Sequence, residues 1–140
     1  MEDIRLHAEI VERLDSWEEG LYKSVSPLLQ VGVLTSMYLK EIVEQIHKSG
    51  PELALTKDTV FLHARPHEGV EIPFIAFLHT EEPVQYFGRP IHNYFVFGAK
   101  DDDTHRKILA RISQFVSLMR DDSSLIDEAR FIRWFKTHED

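Results

Sequence analysis

Apolar positions along the chain alternate between two periods, and the changes of period mark the elements. Ile4, Leu6, Ala8 and Ile10 alternate with polar residues, the pattern of a half-buried strand running into Val11. Ile10, Val11 and Leu14 would equally start a helix. Ser16-Trp17-Glu18-Glu19 has capping-box spacing and opens a helix with Trp17, Leu21, Val25, Leu28 and Leu29 on one side. Pro27 within it predicts a kink or an early end. Val31 to Leu34 form a connection. Thr35 then caps a second helix whose Tyr38, Leu39, Ile42, Val43 and Ile46 keep helical spacing until Ser49-Gly50-Pro51.

Beyond Lys57-Asp58 the period shortens. Val60-Phe61-Leu62 reads as a buried strand, and Pro73 to Leu78 as a second one after a glycine-containing turn. Glu81 to Pro90 form a polar, punctuated loop, and Tyr94 to Gly98 a third buried strand. Ala99 to Asp103 lead into a helix with Ile108, Leu109, Ile112, Phe115, Val116 and Met119 facing the core. A last helix, from near Ser123-Ser124, carries Ile126, Ala129, Ile132 and Phe135. Helices in pairs around apolar strands predict an α/β fold: a three-layer sandwich, with a mixed, mostly parallel central sheet and helices on both faces. The first two helices read as scaffold.

The 140 residues fit a single domain spanning 1–140, with residues 1–14 as a lead-in strand. A net charge of -8 argues against direct contact with nucleic acid. No stretch approaches the roughly 20 apolar residues of a membrane span, so no membrane insertion is expected. The opening residues lack the blocks of a signal peptide, which makes the cytoplasm the expected location. Without cysteine there is no thiol nucleophile and no thiolate metal site.

The candidate chemistry lies at the exit of the first buried strand. Val60-Phe61-Leu62 delivers His63, Arg65 follows, and Pro66 turns the chain away while biasing Arg65 towards an extended conformation. A neutral imidazole at a strand exit can act as a nucleophile near pH 7, and a guanidinium beside it can hold an anion. The third strand ends at Gly98, and Asp101-Asp102-Asp103-Thr104-His105 open the following helix, whose free N–H groups attract phosphate. If the two strands are neighbours, His63 and His105 meet at one edge of the sheet as nucleophile and partner. The plainer reading makes His63 a satisfied histidine, Arg65 an ion-pair partner and the three aspartates a cap with solvated acids. Lys100 and Arg106 would offset part of that acidity. His7, His47, His79, His92 and His138 read as surface residues.

Taken in order, Leu62-His63-Ala64-Arg65-Pro66, Gly69-Val70, Glu82-Pro83-Val84 and Asp103 to Leu109 resemble the enzyme IIA domain of the phosphoenolpyruvate-dependent sugar phosphotransferase system, mannitol/fructose superfamily. Asp15 to Glu19, leading into Pro27-Leu28-Leu29 and Val33-Leu34, is similar to the opening helix of the ascorbate/galactitol type. The resemblance covers about residues 4 to 130. It implies a phosphocarrier: His63 accepts a phosphoryl group from the histidine-containing phosphocarrier protein and passes it to a cysteine of an enzyme IIB during sugar uptake. It also implies His105 as stabiliser of the phosphoryl group, Arg65 and Thr104 as phosphate-binding residues, and no metal or organic cofactor. Two departures stand out. Leu62 occupies a position that is proline in many relatives, and residues 36–58 lack the arginine of mannitol-type members.

Such domains also serve as phosphorylation-sensing modules of transcriptional regulators, and the lead-in Ile4 to Leu14 resembles the junction found there. A remote alternative is a metal site built from His63, His67, His105 and Asp101, although Pro66 interrupts the His63–His67 spacing. The partner face is expected around His63, from Phe74 to Leu78 or at the Tyr86-Phe87 loop. A basic phosphocarrier surface would suit this acidic chain.

Overall fold

The structure, a computed structural model, describes residues 4–54, 56–66 and 68–137. Its strands are β1 (Arg5–Val11), β2 (Thr59–Leu62), β3 (Phe74–Tyr86) and β4 (Arg89–Gly98), joined in one sheet of order β1-β3-β4-β2. β1 runs parallel to β3 and β2 parallel to β4, whereas β3 and β4 are antiparallel. The helices are α1 (Trp17–Gln30), α2 (Ser36–Ser49), α3 (Asp102–Asp121) and α4 (Glu128–Thr137), with short 3₁₀ turns at Gly50–Leu53 and Ser123–Leu125.

Alternation along the central strands explains the layering. Phe74, Ala76, Leu78, Tyr94 and Val96 join Leu21 and Val25 of α1 and Tyr38, Ile42 and Ile46 of α2 in one core. Ile75, Phe77, Phe95 and Phe97 join Ile108, Ile112 and Phe115 of α3 and Phe131 and Phe135 of α4 in the other. A strand covered on both faces needs apolar residues at successive positions, hence the unbroken run Phe74 to Leu78. Each large side chain so buried contributes about 1.5–3 kcal/mol. The three-layer sandwich expected from the pattern is the one observed.

Several local expectations resolve in detail. Ser16 caps α1: its Oγ accepts from the Glu19 N–H at 3.2 Å, and Glu19 Oε1 accepts from the Asp15 N–H at 2.7 Å. Pro27 sits inside α1, which ends at Gln30. Thr35 is the N-cap residue of α2, but its hydroxyl makes no cap bond and instead donates to the Gly69 carbonyl at 3.2 Å. The lead-in strand is the sheet's edge, its Arg5 N–H donating to the Pro73 carbonyl at 2.8 Å.

Residues 81–90 are not a loop. They belong to the β3–β4 hairpin, which turns through Phe87 (φ 47°) and Gly88 (φ 81°). Two positive φ values in a two-residue connection match the twist of paired strands, and glycine takes this conformation without strain. Phe87 is held there by packing on Trp17 and Tyr86, with ring centroids 5.8 and 4.8 Å away. Glu81, Glu82 and Pro83 read as loop because β3 bulges between His79 and Val84, leaving these three residues exposed.

The expected partner face is also corrected. Phe74 to Leu78 and Tyr86 are fully buried between layers, and Phe87 lies at the end of β4 opposite Gly98. The last helix begins later than expected; Phe135 is buried and Ile126 and Ile132 pack against the same core as expected, Phe131 and Trp134 complete that face, and Ala129 is exposed.

Candidate active site

β2 and β4 run side by side and in parallel, Leu62 opposite Val96, so the chain leaves β2 where β4 reaches Phe97 and Gly98. His63 therefore emerges beside the start of α3. Its ring stacks on Phe97, with centroids 4.7 Å apart and planes at 26°, and meets His105 edge-on at 5.0 Å and 61°. Phe97 also touches His105, at 5.5 Å. The two histidines expected to meet at a sheet edge do so, with a phenyl ring as their common floor.

Both imidazoles are half-buried, and the Nδ1 atom of each is shielded from solvent with no hydrogen-bond partner among the described residues. Burial pushes the His63 pKa down to about 4, reinforced by the neighbouring His105 and opposed by the Ala64 backbone. Burial also lowers the pKa of His105, with Asp102 acting in the opposite direction. At neutral pH both rings are uncharged.

The histidines share a cavity of about 230 Å³ with Ala64, Arg65, Pro66 and Gln45 of α2. Arg65 is exposed and also lines an adjoining groove with Lys100 and Asp102. Among the described residues no carboxylate pairs with its guanidinium. Gln45 is the site residue that sequence reading missed. It lies seven positions after Tyr38 on α2, on the side of that helix facing the sheet, a placement only the packed fold discloses.

Thr104, expected at the phosphate, lies in the first turn of α3 and takes part in its cap. Asp101 Oδ1 accepts from its N–H at 2.8 Å and Asp101 Oδ2 accepts from its hydroxyl at 3.1 Å. Thr104 is not among the residues lining that cavity. These bonds hold the exposed Asp101 carboxyl below its usual pKa range. Asp103 faces Arg106 at 3.6 Å and Lys107 at 3.2 Å, while Lys100 pairs with Glu71 at 4.0 Å. The acids at the α3 N-terminus are thus largely occupied with their own neighbours.

Of the metal alternative, His67 lies outside the described residues, and Asp101 is spent on the cap. Among the described residues no group of three or more His, Cys, Asp or Glu is arranged to hold a metal ion. His138 also lies outside the described residues. His79 and His92, expected on the surface, are half-buried and hydrogen-bonded. His79 Nδ1 is 2.7 Å from Asn93 Oδ1, and His92 Nδ1 is 2.9 Å from the Thr80 carbonyl. No helix among the described residues is long and apolar enough to cross a membrane.

Solved structures share this architecture. A Streptococcus mutans protein described as a PTS IIA (PtxA) superposes with a TM-score of 0.72 at 24% identity, over 89% of this chain and 79% of its own. The nitrogen regulatory protein IIA-Ntr of Neisseria meningitidis gives 0.69 at 21%, over 94% of each chain. Enzyme IIA mannitol of Escherichia coli, in complex with phosphorylated enzyme IIB mannitol, gives 0.65 at 14%, over 89% and 82%. At these identities the likeness is one of fold. No curated protein matches the chain. Residues 6–127 match the model of the family described as the phosphoenolpyruvate-dependent sugar phosphotransferase system, EIIA 2, and the chain belongs to that family.

Proposed function

We propose that the chain is a phosphocarrier of sugar uptake. His63 accepts a phosphoryl group from the histidine-containing phosphocarrier protein and hands it to a cysteine of an enzyme IIB. The observation that carries this reading is the state of His63: an uncharged imidazole at a strand exit, its Nδ1 buried and its ring lining an open cavity, beside His105 and Arg65. With the proton on Nδ1, the Nε2 lone pair attacks phosphorus. The donor's N–P bond breaks as the Nε2–P bond forms. In the second step a cysteine thiolate of enzyme IIB attacks the same phosphorus; the Nε2–P bond breaks as the S–P bond forms, its electron pair returns to Nε2, and His63 is again a neutral imidazole.

Phosphoryl transfer needs positioning and charge stabilisation more than covalent help. Arg65 supplies charge at the cavity mouth. His105 offers its Nε2–H, in the tautomer that leaves its buried Nδ1 unprotonated, as a donor to a phosphoryl oxygen. The Gln45 amide lines the same cavity as a neutral donor, so its contribution is to orientation. The ascorbate/galactitol type is the branch we favour, on the Asp15 to Glu19 opening and the absence of arginine from residues 36–58.

The test is intact mass after incubation with phosphoenolpyruvate, enzyme I and the histidine phosphocarrier. The wild type is expected to gain one acid-labile phosphoryl group and His63→Ala none. Full labelling of His63→Ala would overturn the assignment. A regulatory role is the second reading, favoured by the match to a nitrogen regulatory protein over nearly the whole of both chains. Transfer onward to an isolated enzyme IIB cysteine supports transport, whereas uptake without onward transfer supports regulation.

A further inference from the structure

Tyr38 is fully buried beneath the His63 turn, on the first turn of α2. Its hydroxyl accepts the Ala64 N–H at 3.1 Å and donates to the Phe97 carbonyl at 2.9 Å, with the Ala64 carbonyl 3.3 Å away as a second acceptor. Those two residues govern His63: Ala64 is its chain neighbour, and the Phe97 ring is the surface it stacks on. One phenol thus ties α2, the exit of β2 and the end of β4 at a single point.

Gly98 makes this possible. A Cβ there would lie 2.7 Å from Tyr38 Cε2, 2.8 Å from its Cζ and 2.9 Å from Phe74 Cε1, closer than packed carbons approach. The Tyr38 ring stands edge-on to Phe74 at 6.1 Å, which fixes its direction. Burial raises the phenol pKa, so the hydroxyl keeps its proton across the whole working range.

We propose that Tyr38 is a positioning residue for the phosphoryl acceptor, holding the Ala64 peptide and the Phe97 strand end so that His63 stays pressed on the phenyl ring with one nitrogen buried. The inference rests on the phosphoacceptor reading of His63, but its structural part can be tested without any phosphoryl donor. Without the hydroxyl, the Ala64 N–H and the Phe97 carbonyl lose their partner in a buried place and the turn moves to find water. His63 then becomes more solvated, and the cost of charging it falls.

The experiment compares wild type, Tyr38→Phe and Ile42→Ala by NMR titration of the His63 ring and by the rate of phosphoryl acceptance from the histidine phosphocarrier. Ile42 is buried one turn further along α2 and carries no polar group, so its truncation loosens the same helix without unpairing Ala64 or Phe97. For Tyr38→Phe the account expects the His63 pKa to move up towards that of an exposed imidazole and acceptance to slow about 10²-fold, the scale of a misplacement of about 1 Å. Ile42→Ala is expected to lower the melting temperature while leaving the His63 titration in place. Gly98→Ala, which crowds the ring instead of removing the hydroxyl, should shift His63 in the same direction as Tyr38→Phe. A wild-type titration and rate in Tyr38→Phe would overturn the proposal, and so would equal shifts in Ile42→Ala. If the wild type took up no phosphate, the phosphocarrier reading would fail on its own, and the titration would still decide the role of Tyr38.

Discussion

Among the described residues two histidine pairs stand in ring contact, and their surroundings differ. His79 and His92 stack with ring centroids 5.9 Å apart, and both Nδ1 atoms have fixed partners. Asn93 Oδ1 accepts from His79, while Asn93 Nδ2 donates to Thr59 Oγ1 at 3.4 Å and Thr59 donates to Asp58 Oδ1 at 3.1 Å. That chain of bonds orients every member. His63 and His105 are as close, but among the described residues their buried Nδ1 atoms have no hydrogen-bond partner within bonding geometry, and burial drives both rings towards the neutral form. A histidine with its buried nitrogen bonded is a strut. One left unsatisfied beside a cavity is held at a cost, which marks it as a candidate for binding or chemistry.

The sharpest way to break this contrast is to remove the second member of the unsatisfied pair. His105→Ala should lower the rate of phosphoryl acceptance by about 10²-fold, the scale of one lost donor to a developing charge. The label should still appear on His63. A rate within experimental error of wild type, in a quench-flow comparison, would demote His105 to packing.

The next effect is on stability. His63 in the folded chain titrates near 4, below the roughly 6.5 of an exposed imidazole. Between those values the unfolded chain binds more protons, so stability is fullest above about pH 6.5 and falls as the pH drops towards about 4. The lowered pKa of His105 acts with the same sign. Urea midpoints at about pH 7.5 and about pH 4.5 should show His63→Ala losing less on acidification than wild type, by on the order of 2 kcal/mol. Parallel losses in the two proteins would mean that His63 pays no such penalty.

Smallest is the effect on the satisfied pair. His79→Ala removes the donor to the buried Asn93 oxygen, and His92→Ala the donor to the Thr80 carbonyl. Each should cost about 1–2 kcal/mol in chemical denaturation and leave the phosphoryl-acceptance rate unchanged. A large rate loss in either would place function at the wrong pair.

How far the sequence discloses this molecule depends on the range of the interaction involved. Apolar runs such as Val60 to Leu62 and Phe74 to Leu78 are legible because strands covered on two faces must be apolar throughout, and so is the α3 face of Ile108, Ile112 and Phe115. His63 and His105 are legible as candidates because each sits at the end of such an element. Only the parallel pairing of β2 with β4 brings them together. The residues that escaped notice act across the sequence. Tyr38 reads as one more core position, since nothing local shows that its hydroxyl reaches Ala64 and Phe97. Gln45 looks like an ordinary helix-surface polar residue until α2 is laid over the sheet. The hairpin at residues 81–90 was hidden by a bulge rich in turn-forming and acidic residues. The start of α4 lies later than the pattern suggests because Asp127 caps it afresh, accepting from the Arg130 N–H at 2.9 Å, after the 3₁₀ turn at Ser123–Leu125.

The central claim is that His63 is the acceptor and that it reacts through the nitrogen its burial leaves open. The direct measurement is NMR of the phosphorylated protein carrying nitrogen-15 histidine, which identifies both the residue and the ring nitrogen bonded to phosphorus. The account predicts phosphate on Nε2 of His63. Phosphate on Nδ1 of His63, or on any other histidine, would contradict it.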